Sequence, residues 1–332
     1  MSWPVVAVAG GPRERGRAYG ERARDRIHGS LELYERVFRH ATGLRWRAVV
    51  DRVGAFAGPI DDYDVRLLPE LEGIAEGAAV EAEDVLALNV RTEVMFGMTA
   101  RECTALCTRA DAAPDAHVLL AQNWDWKPEA RATCILLVAM PHDGPPFATF
   151  VEAGLLAKCG LNGAGLGVAA NALTSSLDRG EAGVPFHAIL RRILSSPSFD
   201  EAVDAVTSPV RASSANYRVA SRDGRAADLE AAPGGGRSVT RTDGDRLAHA
   251  NHFLTAPGGT ADRGKDLERL DPASSSVARQ AAAEAWAAAS PARSVDDLLA
   301  TFADDDAPSA STPRPASRPR RPTRRSRPWR WI

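Results

Sequence analysis

Residues 101–107 read RECTALC, and the hydrophobic pattern of the chain changes at this run. Before it, apolar side chains recur every three or four residues, which predicts a helical leader over residues 10–96. After it come short apolar runs bounded by Asp, Gly and Pro, which predict strands at 118–120, 135–138, 147–151 and 166–173. The run therefore marks a boundary between a helical segment and a β-rich segment.

The later elements indicate the fold class. Helices return near residues 187–190 and after Ser198, which forms a capping-box pattern with Glu201. In the leader, Asp84 is expected to cap a helix that begins at Val85. Residues 214–254 are strand-like again, and residues 277–289 form an Ala-rich helix. Because the strands come in blocks rather than alternating with helices, the sequence predicts an α+β fold with antiparallel sheets covered by helices.

The composition is that of a soluble globular protein. The chain has 332 residues, of which 44% are hydrophobic and 25% are charged, enough for one large domain or two small ones. Residues 1–9 are too short for a signal peptide, and no apolar run approaches the length of about 18 residues that indicates a membrane span. Four scattered cysteines predict reduced thiols rather than a disulfide framework or a zinc site. We expect a cytoplasmic protein without a metal or other cofactor.

Cys103 is the first candidate for chemistry. A lone cysteine is most often a small buried hydrophobe. Here it lies where the helical leader ends. Cutting the Glu102–Cys103 bond would therefore separate the helical segment from the β-rich segment and give Cys103 a new α-amino group. Such an amine titrates at about 7.7–8.0, close to the working pH of a general base. An N-terminal amine can activate a nucleophile on the same residue without a histidine.

Two polar residues could assist this thiol. Asp125 ends the run QNWD at 122–125 and could orient the α-amino group of Cys103, although a turn at the end of a strand also explains an aspartate there. Asn251, in HANHF at 249–253, is a neutral donor suited to an oxyanion hole, although it too could be a turn residue.

Other polar groups are weaker candidates. Asn162, Asn171 and Asn216 lie amid apolar strands, where they would cap backbone groups or line a substrate pocket. His249 and His252 have a spacing seen in metal sites, but no third ligand is evident, and no metal is expected.

A glycine-rich stretch offers an alternative function. Residues 165–170 match G-x-G-x-x-A, the dinucleotide-binding pattern. That pattern should follow a strand and open a helix, whereas here the glycines precede a predicted strand. A tight turn between two strands is the better interpretation, and no nucleotide is expected.

The last 26 residues differ from the rest. Residues 307–332 contain eight arginines, many Pro and Ser, and no acidic residue. Such a segment cannot bury a core, which predicts a disordered tail. Binding of nucleic acid through phosphate contacts is the alternative, and we do not expect nucleic acid as a partner.

Four motifs in order resemble those of the acyl-coenzyme A:6-aminopenicillanic-acid acyltransferase family. They are ECT at 102–104, QNWDW at 122–126, KCGLNGAGL at 158–166 and ANHF at 250–253. The leader stretches LEGIAEG at 71–77 and LN at 88–89 also fit. The resemblance runs from about residue 5 to about residue 303.

The resemblance implies a fold and a mechanism. The fold would be the αββα sandwich of N-terminal-nucleophile hydrolases, two antiparallel sheets between helical layers. The chain would cleave itself between Glu102 and Cys103 into a leader (1–102) and a catalytic body (103–306) that stay together as a heterodimer. Cys103 would be the nucleophile, Asp125 the orienting carboxylate and Asn251 an oxyanion donor. The substrate would be a small-molecule amide or acyl thioester, and either hydrolysis or acyl transfer remains open.

The end of the chain departs from the family. The family continues with a Ser-Ile-Cys-Arg-like stretch and closing strands, whereas residues 310–314 read ASTPR. We expect that the reading frame is lost near Ser309, and that a family Arg and Ser near the active site are missing. The alternative function is therefore a catalytically impaired paralogue or a binding protein of the same fold.

Overall fold

The computed structural model describes residues 3–95, 103–109, 118–261, 263–289, 294–298 and 330–331. Glu102, the predicted residue before the cut, lies outside these ranges, as do residues 307–329 and 332 of the predicted tail. None of the helices in the described ranges is both long enough and apolar enough to cross a membrane.

The described leader begins with a strand and continues with helices. These elements are β1 (Val5–Gly10), α1 (Pro12–Thr42), α2 (Trp46–Val53), α3 (Ala57–Tyr63), α4 (Leu67–Ala78), α5 (Ala82–Asn89) and α6 (Arg91–Val94). The predicted apolar stripes of α1 and α4 face the core, with Ile27, Tyr34, Leu71 and Ile74 all buried. Helix α5 starts at Ala82 after the cap residue Glu81, so the prediction that Asp84 caps it is wrong. The Asp84 carboxylate instead accepts a hydrogen bond from Trp46 Nε1 at 2.6 Å.

The body supplies most strands and the remaining helices. The strands are β2 (Cys103–Arg109), β3 (Val118–Trp124), β4 (Cys134–Pro141), β5 (Phe147–Glu152), β6 (Cys159–Asn162), β7 (Leu166–Ala172), β8 (Ala215–Ser221), β9 (Ala226–Ala231), β10 (Val239–Asp243), β11 (Arg246–His249) and β12 (Arg330–Trp331). The helices are α7 (Phe186–Ser195), α8 (Phe199–Thr207), α9 (Leu267–Leu270) and α10 (Ser276–Ala289). Ser198 caps α8 by accepting a hydrogen bond from the Glu201 backbone N–H, as the capping box predicts.

Two sheets pack against each other between helices. The first has the order β1-β4-β5-β6-β7-β8-β9-β10, and the second has the order β11-β2-β3-β12. Strands β2 and β3 contact β7 and β8, while α1, α7 and α8 contact the first sheet and α10 contacts the second. Strands β8 and β9 are buried along their whole length, as expected for strands covered on both faces. The predicted α+β fold with helices outside two sheets is confirmed.

One strand pair departs from the antiparallel prediction. β1 of the leader runs parallel to β4 of the body, with Val5 opposite Leu136. The leader thus contributes an edge strand to the main sheet of the body. The other pairs in this sheet are antiparallel, among the described residues.

The glycine-rich stretch forms the turn that the sequence predicts. Gly165 has φ +85°, a backbone conformation that favours glycine, in the connection between β6 and β7. Strand β7 follows, with no helix between, so the dinucleotide-binding alternative finds no support in the fold.

Buried ion pairs join the leader to the body. Glu70 of α4 accepts hydrogen bonds from Arg15 of α1 at 2.7 Å and from Arg191 of α7 at 2.9 Å. Burial alone would raise the pKa of Glu70, but the two guanidinium groups outweigh burial and hold this pKa below its usual range. The Glu70–Arg191 pair therefore joins residues that lie on opposite sides of the predicted cut between Glu102 and Cys103.

The described end of the chain pairs with the second sheet. Arg330 lies opposite Asn123 and Trp331 opposite Gln122, both in β3. These two residues belong to the segment 307–332, for which the sequence predicts a disordered tail, and they form the short strand β12. The physical reason is that β3 would otherwise be a sheet edge with open backbone donors and acceptors.

Candidate active site

Cys103 lies at the start of β2 in an apolar setting. It pairs with Trp124 of β3 and packs with Trp124, Cys134 and Phe150. Burial is the main cause that raises the pKa of its thiol. The positive charges of Lys158 and Arg279 oppose this effect. A thiol in this position needs a nearby base or cation to become a thiolate.

Strand pairing brings Asn251 to Cys103. His249, the last residue of β11, lies opposite Ala105 of β2, so the chain reaches the level of Cys103 two residues later. The Cys103 backbone N–H donates to Asn251 Oδ1 at 2.7 Å. Asn251 Nδ2 donates to the Ala172 carbonyl at 3.0 Å, and the Asn251 backbone N–H donates to Ser276 Oγ at 2.7 Å. The side chain is therefore held at both ends.

Arg279 of α10 is a site residue that the sequence analysis missed. Its Nη1 donates to the Cys103 carbonyl at 2.5 Å and to Thr104 Oγ1 at 3.0 Å, and its Nη2 donates to Asn251 Oδ1 at 2.9 Å. Arg279 is only 3% exposed. The sequence pattern that could have indicated Arg279 is its helical spacing. Arg279 lies on the same helix face as Ala283 and Ala287, which are both buried. A charged residue on the apolar face of a helix is a functional candidate.

Lys158 is a second cation beside the thiol. Its Nζ lies 3.1 Å from the centroid of the Trp124 ring, and Trp124 is the strand partner of Cys103. Burial, with the nearby charge of Arg91, lowers the pKa of Lys158 to about 8. Lys158 begins the motif KCGLNGAGL at 158–166, which does not by itself indicate a role for the lysine. Its ammonium can stabilise a thiolate at Cys103.

Asp125 follows β3 at the end that carries Trp124. It is partly exposed, and its negative charge contributes to the raised pKa of the Cys103 thiol. The strand before it is anchored to the first sheet, since Gln122 Oε1 accepts a hydrogen bond from the Ala170 backbone N–H at 3.0 Å. Asp125 is thus near enough to act electrostatically on Cys103, while its predicted bond to a free α-amino group stays a prediction.

A buried polar network runs behind the site from the leader. Arg91 of α6 pairs with Glu152 at 2.5 Å, and the Tyr34 hydroxyl donates to the same carboxylate at 2.7 Å. Arg91 Nε donates to His187 Nε2 at 3.2 Å. Burial and then the Arg91 charge lower the pKa of His187 well below its usual value, so the ring is neutral. Its Nδ1–H then donates to the Ala157 carbonyl at 2.8 Å, next to Lys158.

The three further asparagines have different surroundings. Within the part of the chain that the structure describes, the Asn162 amide binds backbone groups: Nδ2 donates to the carbonyls of Leu194 and Ser196, and Oδ1 accepts from two N–H groups of its own turn. This is the backbone-capping alternative. Asn171 and Asn216 lie opposite each other on β7 and β8. Each has a buried Oδ1 without a hydrogen-bond partner among the described residues, which leaves an acceptor for a water molecule or a ligand.

The two histidines of the HANHF stretch contact different partners. His249 Nε2 lies 2.9 Å from Glu230 Oε1, and His252 Nδ1 lies 2.8 Å from Ser276 Oγ. Across the described ranges, no group of three or more His, Cys, Asp or Glu side chains is arranged to hold a metal ion.

Comparison with models of known protein families gives a match over most of the body. A family model described as acyl-coenzyme A:6-aminopenicillanic acid acyl-transferase matches residues 112–317, more than half of the chain and a range that includes Asp125, Asn251 and Arg279. The chain therefore belongs to this family of acyltransferases.

Two individual proteins are similar to the chain. The acyl-coenzyme A:6-aminopenicillanic-acid-acyltransferase 40 kDa form of Emericella nidulans is 28% identical over 257 residues, which cover 77% of this chain and 71% of the relative. A solved structure, penicillin V acylase from Agrobacterium tumefaciens, covers 67% of each chain at 13% identity with a TM-score of 0.30.

Proposed function

We propose that the protein is a self-processing enzyme that uses the N-terminal thiol of Cys103 to transfer or hydrolyse acyl groups. The observation that carries the proposal is the 2.7 Å hydrogen bond from the Cys103 nitrogen to Asn251 Oδ1. It fixes the atom that becomes an amine when the bond to Glu102 is cut. Membership of an acyltransferase family supports the acyl chemistry.

Processing would proceed through a thioester. The Cys103 sulfur attacks the Glu102 carbonyl carbon, a C–S bond forms, and the C–N bond breaks. The thiol proton passes to the departing nitrogen, which becomes the α-amine. Water then hydrolyses the thioester, giving a Glu102 carboxylate and a free Cys103 thiol. The Arg279 bond to the Cys103 carbonyl holds the backbone on the body side of the bond during these steps.

Turnover would use the new amine as the base. The amine takes the thiol proton, and the thiolate attacks the carbonyl carbon of an amide or acyl thioester. The amine then protonates the leaving group, and the acyl group on Cys103 passes to water or to an amine acceptor. Asn251 Nδ2 has a second N–H besides the one given to Ala172, and this N–H would be the donor to an oxyanion. Asp125 would orient the ammonium form of the base.

The leader would remain bound after the cut as the partner in a heterodimer. β1 stays paired with β4, and the Glu70–Arg191 and Arg91–Glu152 pairs cross between the segments. Arg91 and Tyr34 of the leader also complete the polar network beside Lys158. Four free thiols fit a reducing compartment, which supports the cytoplasm as the location.

A second candidate is a protein of this fold with impaired catalysis. It is favoured by the run ASTPR at 310–314, where the resemblance leads us to expect a Ser-Ile-Cys-Arg-like stretch, although the family model matches residues through 317. A trapping experiment separates the two functions. Protein incubated with an aliphatic or aromatic acyl-coenzyme A is quenched with acid and digested. The enzyme predicts an acyl adduct on the peptide that begins at Cys103, whereas an inert thiol after successful processing supports the impaired protein.

A further inference from the structure

We propose that Arg279 is a positioning residue that fixes the orientation of the Asn251 amide, so that the new α-amine of Cys103 keeps its lone pair for the thiol. This inference rests on the proposed function and deepens it. It assigns a role to a residue that lies outside the motifs quoted from the sequence.

The orientation follows from the donors around Asn251. Its Oδ1 faces two of them, the Cys103 nitrogen at 2.7 Å and Arg279 Nη2 at 2.9 Å. A guanidinium group has five N–H donors and no acceptor. A flipped amide would therefore place its NH₂ group against a donor and leave both without a partner. Arg279 allows only the orientation in which oxygen faces Cys103.

This orientation decides what the amine can do after processing. An oxygen acceptor engages an N–H of the amine and leaves the nitrogen lone pair directed elsewhere, where it can accept the thiol proton. A flipped Asn251 would donate its own N–H to that lone pair and remove the base. In the uncut chain, the same Asn251 oxygen accepts a hydrogen bond from the Cys103 amide nitrogen. No rearrangement of Asn251 is therefore needed when the bond before Cys103 breaks.

Helix α10 is built to hold this geometry. Ser276, Arg279 and Gln280 lie in its first two turns. Ser276 Oγ accepts the Asn251 backbone N–H, while Gln280 accepts the Ala250 N–H and donates to the Ala248 carbonyl, both at 2.8 Å. Arg279 is itself held by its Nε–Ser275 Oγ bond at 2.9 Å. One helix face thus fixes both the backbone and the side chain of Asn251.

Three variants of the full chain test the inference. Arg279→Met removes both the charge and the donors, and Arg279→Lys keeps the charge but loses the two-pronged contact. Arg211→Met is the matched control, because Arg211 is also a buried arginine, but its guanidinium binds the backbone carbonyls of Ala232, Val206 and Pro209 rather than Cys103 or Asn251. Thermal melts establish that each variant is folded. The readouts are the rate of processing and the pH dependence of Cys103 alkylation by iodoacetamide, followed by mass spectrometry.

We expect Arg279→Met to process and to alkylate roughly 10- to 100-fold more slowly at neutral pH, as for other losses of positioning. Its alkylation profile should shift to higher pH, because the Arg279 charge lowers the pKa of the thiol. Arg279→Lys should keep the wild-type pH midpoint but process more slowly, and Arg211→Met should keep the wild-type profile. A folded Arg279→Met with wild-type rates and profile would overturn the inference, as would an Arg279→Lys that processes at the wild-type rate. A wild type that never cleaves would instead reject the proposed function.

Discussion

The backbone nitrogen of Cys103 lies 2.7 Å from Oδ1 of Asn251, although 148 positions separate the two residues in the chain. Pairing of β2 with β11 produces this contact, since the register that places His249 opposite Ala105 carries Asn251 to the end of β2. An acceptor is thus already in place for the amine that cleavage before Cys103 would create.

Removal of the Asn251 amide should impair both proposed steps. We expect Asn251→Ala to slow turnover by about 100-fold or more, the usual effect of losing one oxyanion donor. Rates of processing and of acyl transfer, measured on the same preparation, check this. Asn162→Ala is the matched control, because the Asn162 amide holds a turn: it should lower the melting temperature and leave processing intact. An Asn251→Ala protein with wild-type kinetics would contradict the assignment.

Lys158 should set the reactivity of the thiol. Its positive charge lowers the pKa of Cys103, so Lys158→Met should move the alkylation profile of Cys103 to higher pH. Burial lowers the pKa of Lys158 itself to about 8. In the wild type, Lys158 therefore loses its positive charge as pH rises through that value, and it no longer lowers the pKa of the Cys103 thiol. Lys158→Arg, which keeps its charge at high pH, should continue to lower the pKa of the Cys103 thiol at those pH values. Identical profiles for the wild type and Lys158→Met would rule this role out.

The buried carboxylate of Glu70 should hold the leader to the body. Glu70→Gln removes the buried anion that Arg15 and Arg191 share and leaves Arg15 only its longer pair with Asp143, which should lower the free energy of unfolding by about 3–5 kcal/mol. Glu72→Gln, on the same helix but exposed, should change it by less than about 1 kcal/mol. Urea denaturation of the two variants measures the difference. Equal midpoints would show that the buried pairs contribute little.

The Glu70 pairs also predict a dependence on pH. The pKa of Glu70 is lowered in the folded protein, so its stabilisation is fully present above the unfolded value of about 4.3 and is lost as pH falls through the lower folded-state value. Processed protein should therefore lose its leader in acid more readily than at neutral pH. Gel filtration across this range measures the release, and a leader retained equally at every pH would contradict the prediction.

Close packing of α1 on α4 should tolerate no side chain at its glycines. A Cβ on Gly20 would lie 2.2 Å from the Ile74 carbonyl oxygen, and one on Gly77 would lie 2.1 Å from that of Arg17. We expect Gly77→Ala to lower the free energy of unfolding by about 1–3 kcal/mol, because the helices must move apart. Gly58→Ala in α3 meets nothing within 4 Å and should be neutral or slightly stabilising. Thermal melts compare the two, and an unchanged Gly77→Ala would mean that the helices adjust freely.

Much of the fold could be predicted from local patterns. The helical apolar spacing in the leader and the capping box at Ser198 each depend on residues a few positions apart. Both are confirmed, the first by the buried side chains of Leu67, Leu71 and Ile74 on α4 and the second by the Ser198 cap. Strand β1 was missed because its alternation of buried and exposed residues spans only six positions, and its partner β4 lies more than 120 residues away. The prediction that Asp84 caps a helix was wrong because its carboxylate accepts a hydrogen bond from the Trp46 side chain rather than from the backbone at the helix end.

The candidate site was predictable only in part. Cys103, Asp125 and Asn251 came from ordered motifs, and strand pairing brings Cys103 and Asn251 into contact. Arg279 lies in a plain Ala-rich helix, where no short motif indicates a role, and its function depends on which way the helix faces the sheet. The motif that contains Lys158 could not predict its role, because that role depends on contact with the Trp124 ring, which lies in a different strand.

The mass and N-terminal sequence of the purified protein test the central claim most directly. Wild type should yield two chains, residues 1–102 and a second chain whose first residue is Cys103, while Cys103→Ala should remain one polypeptide under the same conditions. A wild type that stays intact in native buffer, or one whose second chain begins at any residue other than Cys103, would contradict the account.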